Sequence, residues 1–91
     1  MRPDQPLASD LPIPPGEFLL EVLEDRGMST DELALHLQRP VSELSQIYSG
    51  AEAITADTAL QLELVLGVPA HIWTGLEAQY RLGLARAKRS V

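Results

Sequence analysis

Residues 29–50 decide the fold of this chain, and their sequence is STDELALHLQRPVSELSQIYSG. Ser29 and Glu32, three positions apart, have the form of a capping box, which starts a helix. Pro40 interrupts the helical pattern, because proline has no backbone donor and disfavours a helical conformation in the residue before it. Apolar residues recur at helical spacing on both sides of Pro40. The stretch therefore predicts two short helices joined by a tight turn, helix 2 before Pro40 and helix 3 after it.

These two helices have the composition of a helix-turn-helix unit. Such a unit needs a small residue where its helices cross, apolar residues that fix the crossing, and a second helix with a polar, free outer face. Ala34 supplies the small contact. The buried positions are expected to be Leu33, Leu37, Leu44 and Ile47, and the outer stripe is expected to be Ser42, Ser45, Gln46 and Ser49. Any compact helical bundle could contain such a pair, so the spacing alone leaves a purely structural role open.

The charge of this stretch conflicts with nucleic-acid binding. Arg39 is its only Lys or Arg residue and faces three carboxylates in the same stretch. The whole chain of 91 residues has a formal net charge of -6, which disfavours nonspecific attraction to DNA or anionic lipid. Residues 28–68 hold one basic and six acidic groups, whereas residues 69–91 hold four basic groups and one acidic group. A basic surface is therefore expected only at the C-terminus.

The flanking sequence predicts three further helices and an arm. Five of the seven prolines lie within residues 1–15. Residues 1–14 are therefore expected to form a flexible, extended arm. The expected bounds are Pro15 to Arg26 for helix 1, a Thr55 cap and a stop at Gly67 for helix 4, and Pro69 as the first residue of helix 5. Helix 4 is apolar over most of its circumference, which predicts a central position. With no strand-like alternation, residues 15–91 are predicted to be one all-α domain with a long C-terminal helix.

Composition disfavours several classes of function. The chain contains no cysteine, which excludes disulfides and thiol chemistry, and its two histidines, His36 and His71, have no metal-ligand spacing in sequence. The serines lack the setting of an activated nucleophile. We therefore expect no catalytic group, no metal site and no cofactor. No apolar run approaches the length of a membrane span, so a soluble cytoplasmic protein is expected.

Four stretches resemble, in order and spacing, the HigA-type antitoxins, a branch of the Xre/Cro/phage-repressor helix-turn-helix family. They are PIPPGEFLLEVLEDRGMS (12–29), RPVSELSQI (39–47), AITADTALQLE (53–63) and LGVPAHIWTGLEAQY (66–80). Together they cover about residues 12–82. The resemblance implies a five-helix lambda-repressor-like DNA-binding domain that forms a homodimer and places helix 3 in the major groove of a palindromic operator. It also implies a partner, because members of this branch often neutralise a ribonuclease toxin.

The resemblance assigns the DNA-binding residues as well. They would be Ser42, Glu43, Ser45, Gln46 and Ser49 on helix 3. Arg39 in the turn and Thr30 on helix 2 are further DNA-binding candidates. Three departures from the family pattern weaken the expected binding. Gln38 stands where glycine is common, so a left-handed backbone there would cost roughly 1 kcal/mol relative to glycine. Asp31 and the pair Ala51-Glu52 replace residues that commonly contact phosphate, which lowers both affinity and its salt dependence.

Helix 5 carries the predicted dimer interface. Its apolar stripe runs from Ile72 and Trp73 through Leu76 and Tyr80 to Leu84. Trp73 is expected to close the core over helices 1 and 4. The far end of the stripe should outlast the helices that could cover it, so Leu76, Tyr80 and Leu84 are assigned to a homodimer interface.

Three interpretations of function follow. The first is a regulator of the antitoxin type, which binds its operator DNA and a basic toxin protein. The second is an acidic helix-turn-helix module that has lost or weakened DNA binding and engages a basic protein partner, as the charge distribution favours. The third is a regulatory segment of a longer protein with a metallopeptidase-like region, for which the short basic C-terminus offers no evidence. We prefer the first, because the resemblance spans most of the chain.

Overall fold

The computed structural model describes residues 12–89, which form five α-helices and no strand within that range. The helices are α1 (Pro15–Arg26), α2 (Thr30–Leu37), α3 (Val41–Ser49), α4 (Ala56–Leu66) and α5 (Ala70–Arg89). The all-α prediction is confirmed. Helix 5 begins at Ala70, one residue later than expected. Pro69 precedes the helix, and its carbonyl accepts from the Ile72 amide. Residues 1–11 of the predicted arm lie outside the described residues, and the single-domain assignment stays a prediction.

Short-range signals set the helix boundaries. The Ser29 hydroxyl accepts from the Glu32 amide at 3.1 Å, and the Ser29 amide donates to the Glu32 carboxylate at 2.8 Å. This reciprocal pair is the predicted capping box, and it satisfies two amides that α2 would otherwise leave unpaired. Thr55 caps α4 through a single bond, since its hydroxyl accepts from the Thr58 amide at 3.2 Å. The sequence-predicted starts of α2 and α4 are therefore confirmed.

The turn between α2 and α3 contains a left-handed residue. Gln38 has φ 57° and ψ 46°, and it is the one non-glycine residue with positive φ within residues 12–89. Its amide and that of Arg39 donate to carbonyls of the last turn of α2. The conformation anticipated for this position is thus present, with glutamine in place of the glycine that would adopt it without strain.

The core lies where all five helices meet. Trp73 on α5 is fully buried, its ring centre lies 5.3 Å from that of Phe18, and its indole nitrogen donates to the Val68 carbonyl at 3.2 Å. The four predicted core positions of the helix-turn-helix are all buried, namely Leu33, Leu37, Leu44 and Ile47. Each such side chain contributes roughly 1.5 to 3 kcal/mol through burial. The crossing of α2 and α3 is therefore fixed as predicted.

The predicted central position of helix 4 is wrong. Leu60 and Leu64 on this helix are 53% and 87% exposed. Helix α4 packs against α2 and α5 through its other side, which carries Ala59 and Leu62, and no element within residues 12–89 covers its outer side. The apolar composition of this helix thus reflects an uncovered surface as well as a buried one.

The backbones of α1 and α3 are in unusually close contact at Gly16. A Cβ atom placed on Gly16 would lie 2.3 Å from both the Ile47 carbonyl oxygen and the Tyr48 Cα. Glycine is therefore required where the backbones of α1 and α3 approach each other. This contact holds α3 against the core and leaves its polar side free. No helix within residues 12–89 is both long enough and apolar enough to span a membrane.

Candidate nucleic-acid interface

The outer face of α3 presents a stripe of small polar side chains. Ser42, Ser45, Gln46 and Ser49 are all exposed, whereas Leu44 and Ile47 on the opposite side are buried. This is the division that a helix needs to enter a major groove, where hydroxyl and amide groups can read base edges. We refer to Ser42, Ser45, Gln46 and Ser49 as the α3 stripe.

One member of the α3 stripe has local hydrogen bonds. The Ser49 hydroxyl donates to the Gln46 carbonyl at 3.1 Å and accepts from the Ala51 amide at 3.3 Å. Ser49 therefore helps to terminate α3, and its free hydrogen-bonding capacity is smaller than that of Ser42 or Ser45. The side-chain amide of Gln46 has no hydrogen-bond partner within residues 12–89, and such a group can pair in bidentate fashion with adenine.

Arg39 is held by two neighbouring side chains. Its guanidinium forms an ion pair with Glu43 on α3, and its Nε donates to the Gln61 Oε1 on α4 at 2.9 Å. The Gln61 amide in turn donates to the Leu37 carbonyl at 3.2 Å. The structure thus brings together Arg39 and Glu43, which were each predicted as DNA-binding residues, and it adds Gln61, which was not predicted. We call Arg39, Glu43 and Gln61 the Arg39 bridge.

The Arg39 bridge reduces the positive field available to a phosphate. The side chains of Arg39 and Glu43 are only 23% and 22% exposed, so the pair lies partly within the protein surface. Phosphate contact by Arg39 would have to compete with the Glu43 carboxylate for the same guanidinium. The positive charge of Arg39, the one basic residue of the helix-turn-helix, is therefore already paired with a carboxylate in the free protein.

A second carboxylate lies beside the Arg39 bridge. The loop after α3 turns back along the helix, and the Glu52 amide donates to the Gln46 carbonyl at 3.1 Å. Desolvation raises the pKa of Glu52, and the nearby Glu43 carboxylate raises it further, against a smaller opposing effect of Arg39. Two acidic side chains therefore share the surface next to α3, as the sequence departures at residues 51 and 52 suggested.

Thr30 has a position different from that of the α3 stripe. Its hydroxyl lies 2.9 Å from the Tyr48 hydroxyl, and both side chains are half-buried. The contact links the first turn of α2 to the last turns of α3. Thr30 therefore serves the packing of the two helices in this structure, and its assignment to DNA contact stays a prediction.

The C-terminal end of α3 is held by α5 through a network that the sequence analysis missed. Glu77 is 8% exposed and accepts from the Ile54 amide at 2.9 Å. Arg81 pairs with Glu77 and donates to the Gly50 carbonyl at 3.1 Å. An acidic residue within the apolar stripe of α5, with an arginine four positions later, was the sequence signal for it. We call Glu77, Arg81, Gly50 and Ile54 the Glu77 clamp.

The residues assigned to a dimer interface fall on one side of α5. Leu76 and Tyr80 are half-buried, and Leu84 is exposed. Tyr80 also covers Gly50, because a Cβ atom there would lie 2.6 Å from the Tyr80 hydroxyl. Tyr80 therefore has a structural contact with the end of α3 in addition to its predicted role, and the interface assignment stays a prediction.

The described residues contain no cluster for a metal ion. No group of three or more His, Asp or Glu side chains within residues 12–89 is arranged to hold one. His36 and His71 are both exposed, on α2 and α5. The outer face of α3 is a polar helix face with acidic neighbours, which suits hydrogen bonding to another macromolecule.

Comparison with known proteins identifies similar structures and a similar sequence. No family model matches the chain. An addiction module antidote protein of the HigA family from Coxiella burnetii is 38% identical, with 88% of each chain covered and a TM-score of 0.78. The antitoxin HigA of Pseudomonas aeruginosa, solved with the higBA promoter, is 31% identical, with 87% of each chain covered and a TM-score of 0.79. The uncharacterized HTH-type transcriptional regulator YddM of Escherichia coli (strain K12) is 29% identical over 77 residues, 85% of this chain and 80% of its own length.

Proposed function

Because this chain belongs to the HigA family of helix-turn-helix antitoxins, we propose that it binds operator DNA as a homodimer through α3. The α3 stripe carries this proposal, since it is a polar, exposed helix face held in a helix-turn-helix by buried apolar residues. The promoter present with the Pseudomonas aeruginosa relative supports the same role for this chain. As a member of this family, the chain is a transcriptional regulator of the antitoxin type.

The side chains of the α3 stripe would contact base edges. The ion pair between Arg39 and Glu43 would break when the protein binds the duplex. In the bound state Arg39 could contact a phosphate, while the Glu43 carboxylate it leaves could accept from the exocyclic amine of cytosine. The carboxylates of Glu43 and Glu52 oppose the approach of phosphates. We therefore expect binding that depends on sequence more than on salt, and that is weaker than basic residues at these positions would give.

Titration of the purified protein against its own upstream DNA, followed by fluorescence anisotropy at low and moderate salt, tests this proposal. Gln46→Ala should weaken binding by about 1 to 3 kcal/mol, the usual cost of losing a bidentate base contact. His71→Ala removes an exposed polar side chain on α5 and should leave affinity unchanged. Binding without sequence preference would contradict the operator role, and equal effects of the two substitutions would contradict a base contact by Gln46.

We propose further that the protein neutralises a basic toxin encoded beside it. The names of the relatives, antitoxin and antidote protein, support this partner, and so does the charge of the surface. Exposed carboxylates occur on α1, α2 and α4, namely Glu17, Glu21, Glu24, Asp25, Asp31, Glu32, Asp57 and Glu63. Such a surface favours association with a positively charged protein.

The second function is separable from the first. Co-purification with the protein encoded by the adjacent reading frame, followed by size-exclusion chromatography at rising salt, should give a complex that weakens with salt. If the complex forms and the operator titration fails, the chain is an acidic protein-binding module that has lost DNA binding. If the operator titration succeeds and no basic partner binds, the toxin assignment is wrong.

A further inference from the structure

Helices α1 and α5 border a groove with an apolar floor and an acidic rim. Its volume is about 420 Å³, and its floor includes Pro12, Ile13, Pro14, Phe18, Leu76 and Tyr80. The carboxylates of Glu17 and Glu21 and the amide of Gln79 lie along it. Ile13 is 64% exposed, so the floor is only partly covered within residues 12–89. A groove of this kind fits a segment that is both apolar and basic.

The end of α5 is a segment of that composition. Leu82 is 49% exposed, and residues 84–89 are all exposed. This end carries Arg86, Lys88 and Arg89 with no acidic residue among them. The ion pairs formed within residues 12–89 involve Arg26, Arg39 and Arg81, and they leave these three basic side chains without a carboxylate partner. The free charge of the basic end therefore matches the acidic rim.

A two-fold arrangement would bring the basic end of one copy to the groove of another. In a symmetric dimer, the same surface of each copy meets its equivalent, and a two-fold axis perpendicular to α5 would pack the two α5 helices antiparallel. If they cross at Leu82, Arg86 of one copy lies opposite Ala78 of the other, next to Gln79 at the groove. Arg89 then lies opposite Gly75, where a Cβ atom would meet nothing within 4 Å. The small exposed residues on this side of α5 permit a close approach.

We propose that the groove between α1 and α5 receives the basic end of α5 from a second copy of this chain. Arg86 and its basic neighbours then pair with Glu17 and Glu21, and the contact occurs twice across the symmetry axis. The inference rests on the homodimer of the proposed function. It adds which surfaces of the two copies meet and which charged residues pair across the interface. Tyr80 lines the groove and also covers Gly50. The groove is therefore adjacent to the contact between α5 and the C-terminal end of α3.

Charge selects this occupant over the N-terminal part of the same chain. Residues 1–11 hold one basic residue, Arg2, and two acidic residues, Asp4 and Asp10. The side chains of this part sum to a negative charge, the same sign as the rim at Glu17 and Glu21. The end of α5 brings three positive groups to the same two carboxylates, so only the second copy is complementary in charge.

A reciprocal charge reversal tests the inference with full-length protein. One variant carries Glu17→Lys and Glu21→Lys, and the other carries Arg86→Glu and Lys88→Glu. Each variant alone would bring like charges together, so its dimer dissociation constant should rise by about tenfold or more. In an equimolar mixture, the acidic end of one variant meets the basic groove of the other, and the second contact keeps native charges. The mixture should therefore form a heterodimer about as stable as the native dimer.

Sedimentation velocity at 0.02 and about 0.15 M salt provides the measurement, with circular dichroism to verify folding. The control variant carries Glu24→Lys and Glu63→Lys, which change the net charge equally at exposed positions outside the groove lining, and its dimerisation should equal that of the native protein. A dimer that is indifferent to both reversals, or a mixture that does not recover, overturns the inference and leaves the operator role intact. A native protein that stays monomeric at operator-binding concentrations overturns this inference and the proposed homodimer together.

Discussion

The two ends of α3 are held in different ways. At its N-terminal end, the Arg39 bridge lies on the surface and consists of an ion pair supported by one glutamine. At its C-terminal end, the Glu77 clamp is partly buried, and Gly16 and Tyr80 close over the same region from α1 and α5. The Arg39 bridge uses the guanidinium that operator DNA would also bind. The Glu77 clamp uses groups that face away from the α3 stripe.

This difference separates recognition from stability along a single helix. Interactions at a charged surface contribute little to folding, because water and salt weaken them. Buried hydrogen bonds and close backbone contacts contribute more, since their loss leaves unpaired groups or steric overlap. We therefore expect substitutions at the C-terminal end of α3 to affect stability, and those at the N-terminal end to affect charge and binding.

The largest effect is expected for Gly16→Ala. The added Cβ would overlap the backbone of Ile47 and Tyr48, so α1 must shift away from α3, at a cost of about 3 kcal/mol in the free energy of unfolding. Gly75→Ala is the matched control, because a Cβ there meets nothing within 4 Å and helical alanine is favoured over glycine by about 0.5 to 1 kcal/mol. Urea unfolding followed by circular dichroism should show opposite signs. Equal signs would contradict the close approach of the two backbones.

The next effect is expected for Glu77→Ala. It removes the acceptor of the buried Ile54 amide and the partner of Arg81, and should destabilise the protein by about 2 kcal/mol. Glu63→Ala removes an exposed carboxylate from α4 and should change the free energy of unfolding by less than about 0.5 kcal/mol. The same urea titration checks both. If the two alanine variants have equal stability, the C-terminal end of α3 does not depend on the Glu77 clamp.

Local sequence signals predicted most of the helix boundaries but not these contacts. Ser29 with Glu32 and Thr55 mark helix starts within three residues, so the chain neighbourhood alone contains the information. The contact of Arg39 with Gln61 joins residues 22 positions apart, and that of Ile54 with Glu77 joins residues 23 positions apart. Such pairs depend on how helices cross, which a single sequence does not specify.

Helix α4 illustrates the same limit for hydrophobic patterns. Leu60 and Leu64 have the same residue type as buried Leu62, and the periodicity does not say which side another helix covers. For the candidate site, the exposed α3 stripe was predictable from spacing, because buried Leu44 and Ile47 define the opposite side. The hydrogen bond of Arg39 with Gln61 was not, since Gln61 comes from another helix.

A smaller effect is expected for Gln38→Gly in the turn. Glycine adopts the left-handed conformation at φ 57° without strain, so the protein should gain about 0.5 to 1 kcal/mol. The reverse substitution, Gly27→Gln, forces glutamine into φ 66° at the end of α1, where a Cβ meets nothing within 4 Å, and should cost a similar amount. Thermal unfolding measures both. Unequal magnitudes would indicate that Gln38 contributes more than its backbone conformation.

The smallest effect concerns pH. Desolvation and the Glu43 carboxylate raise the pKa of Glu52 in the folded protein, so Glu52 favours folding most below the ordinary pKa of glutamate. This contribution is lost as pH rises through the raised pKa. Glu32 acts in the opposite direction, because hydrogen bonds from Ser29 lower its pKa and its contribution is lost as pH falls. The difference between native and Glu52→Gln unfolding curves, measured at several pH values, isolates Glu52, and a difference independent of pH would contradict the raised pKa.

The chain contains one tryptophan, and Trp73 lies at the centre of the core beside Phe18. Its indole ring is shielded from water in the native state and exposed on unfolding, so its emission should report global unfolding without a label. The α3 stripe contains no aromatic residue. Fluorescence of the protein and anisotropy of labelled DNA therefore follow two separate events, and a variant that loses operator binding can be distinguished in one cuvette from a variant that has lost its fold.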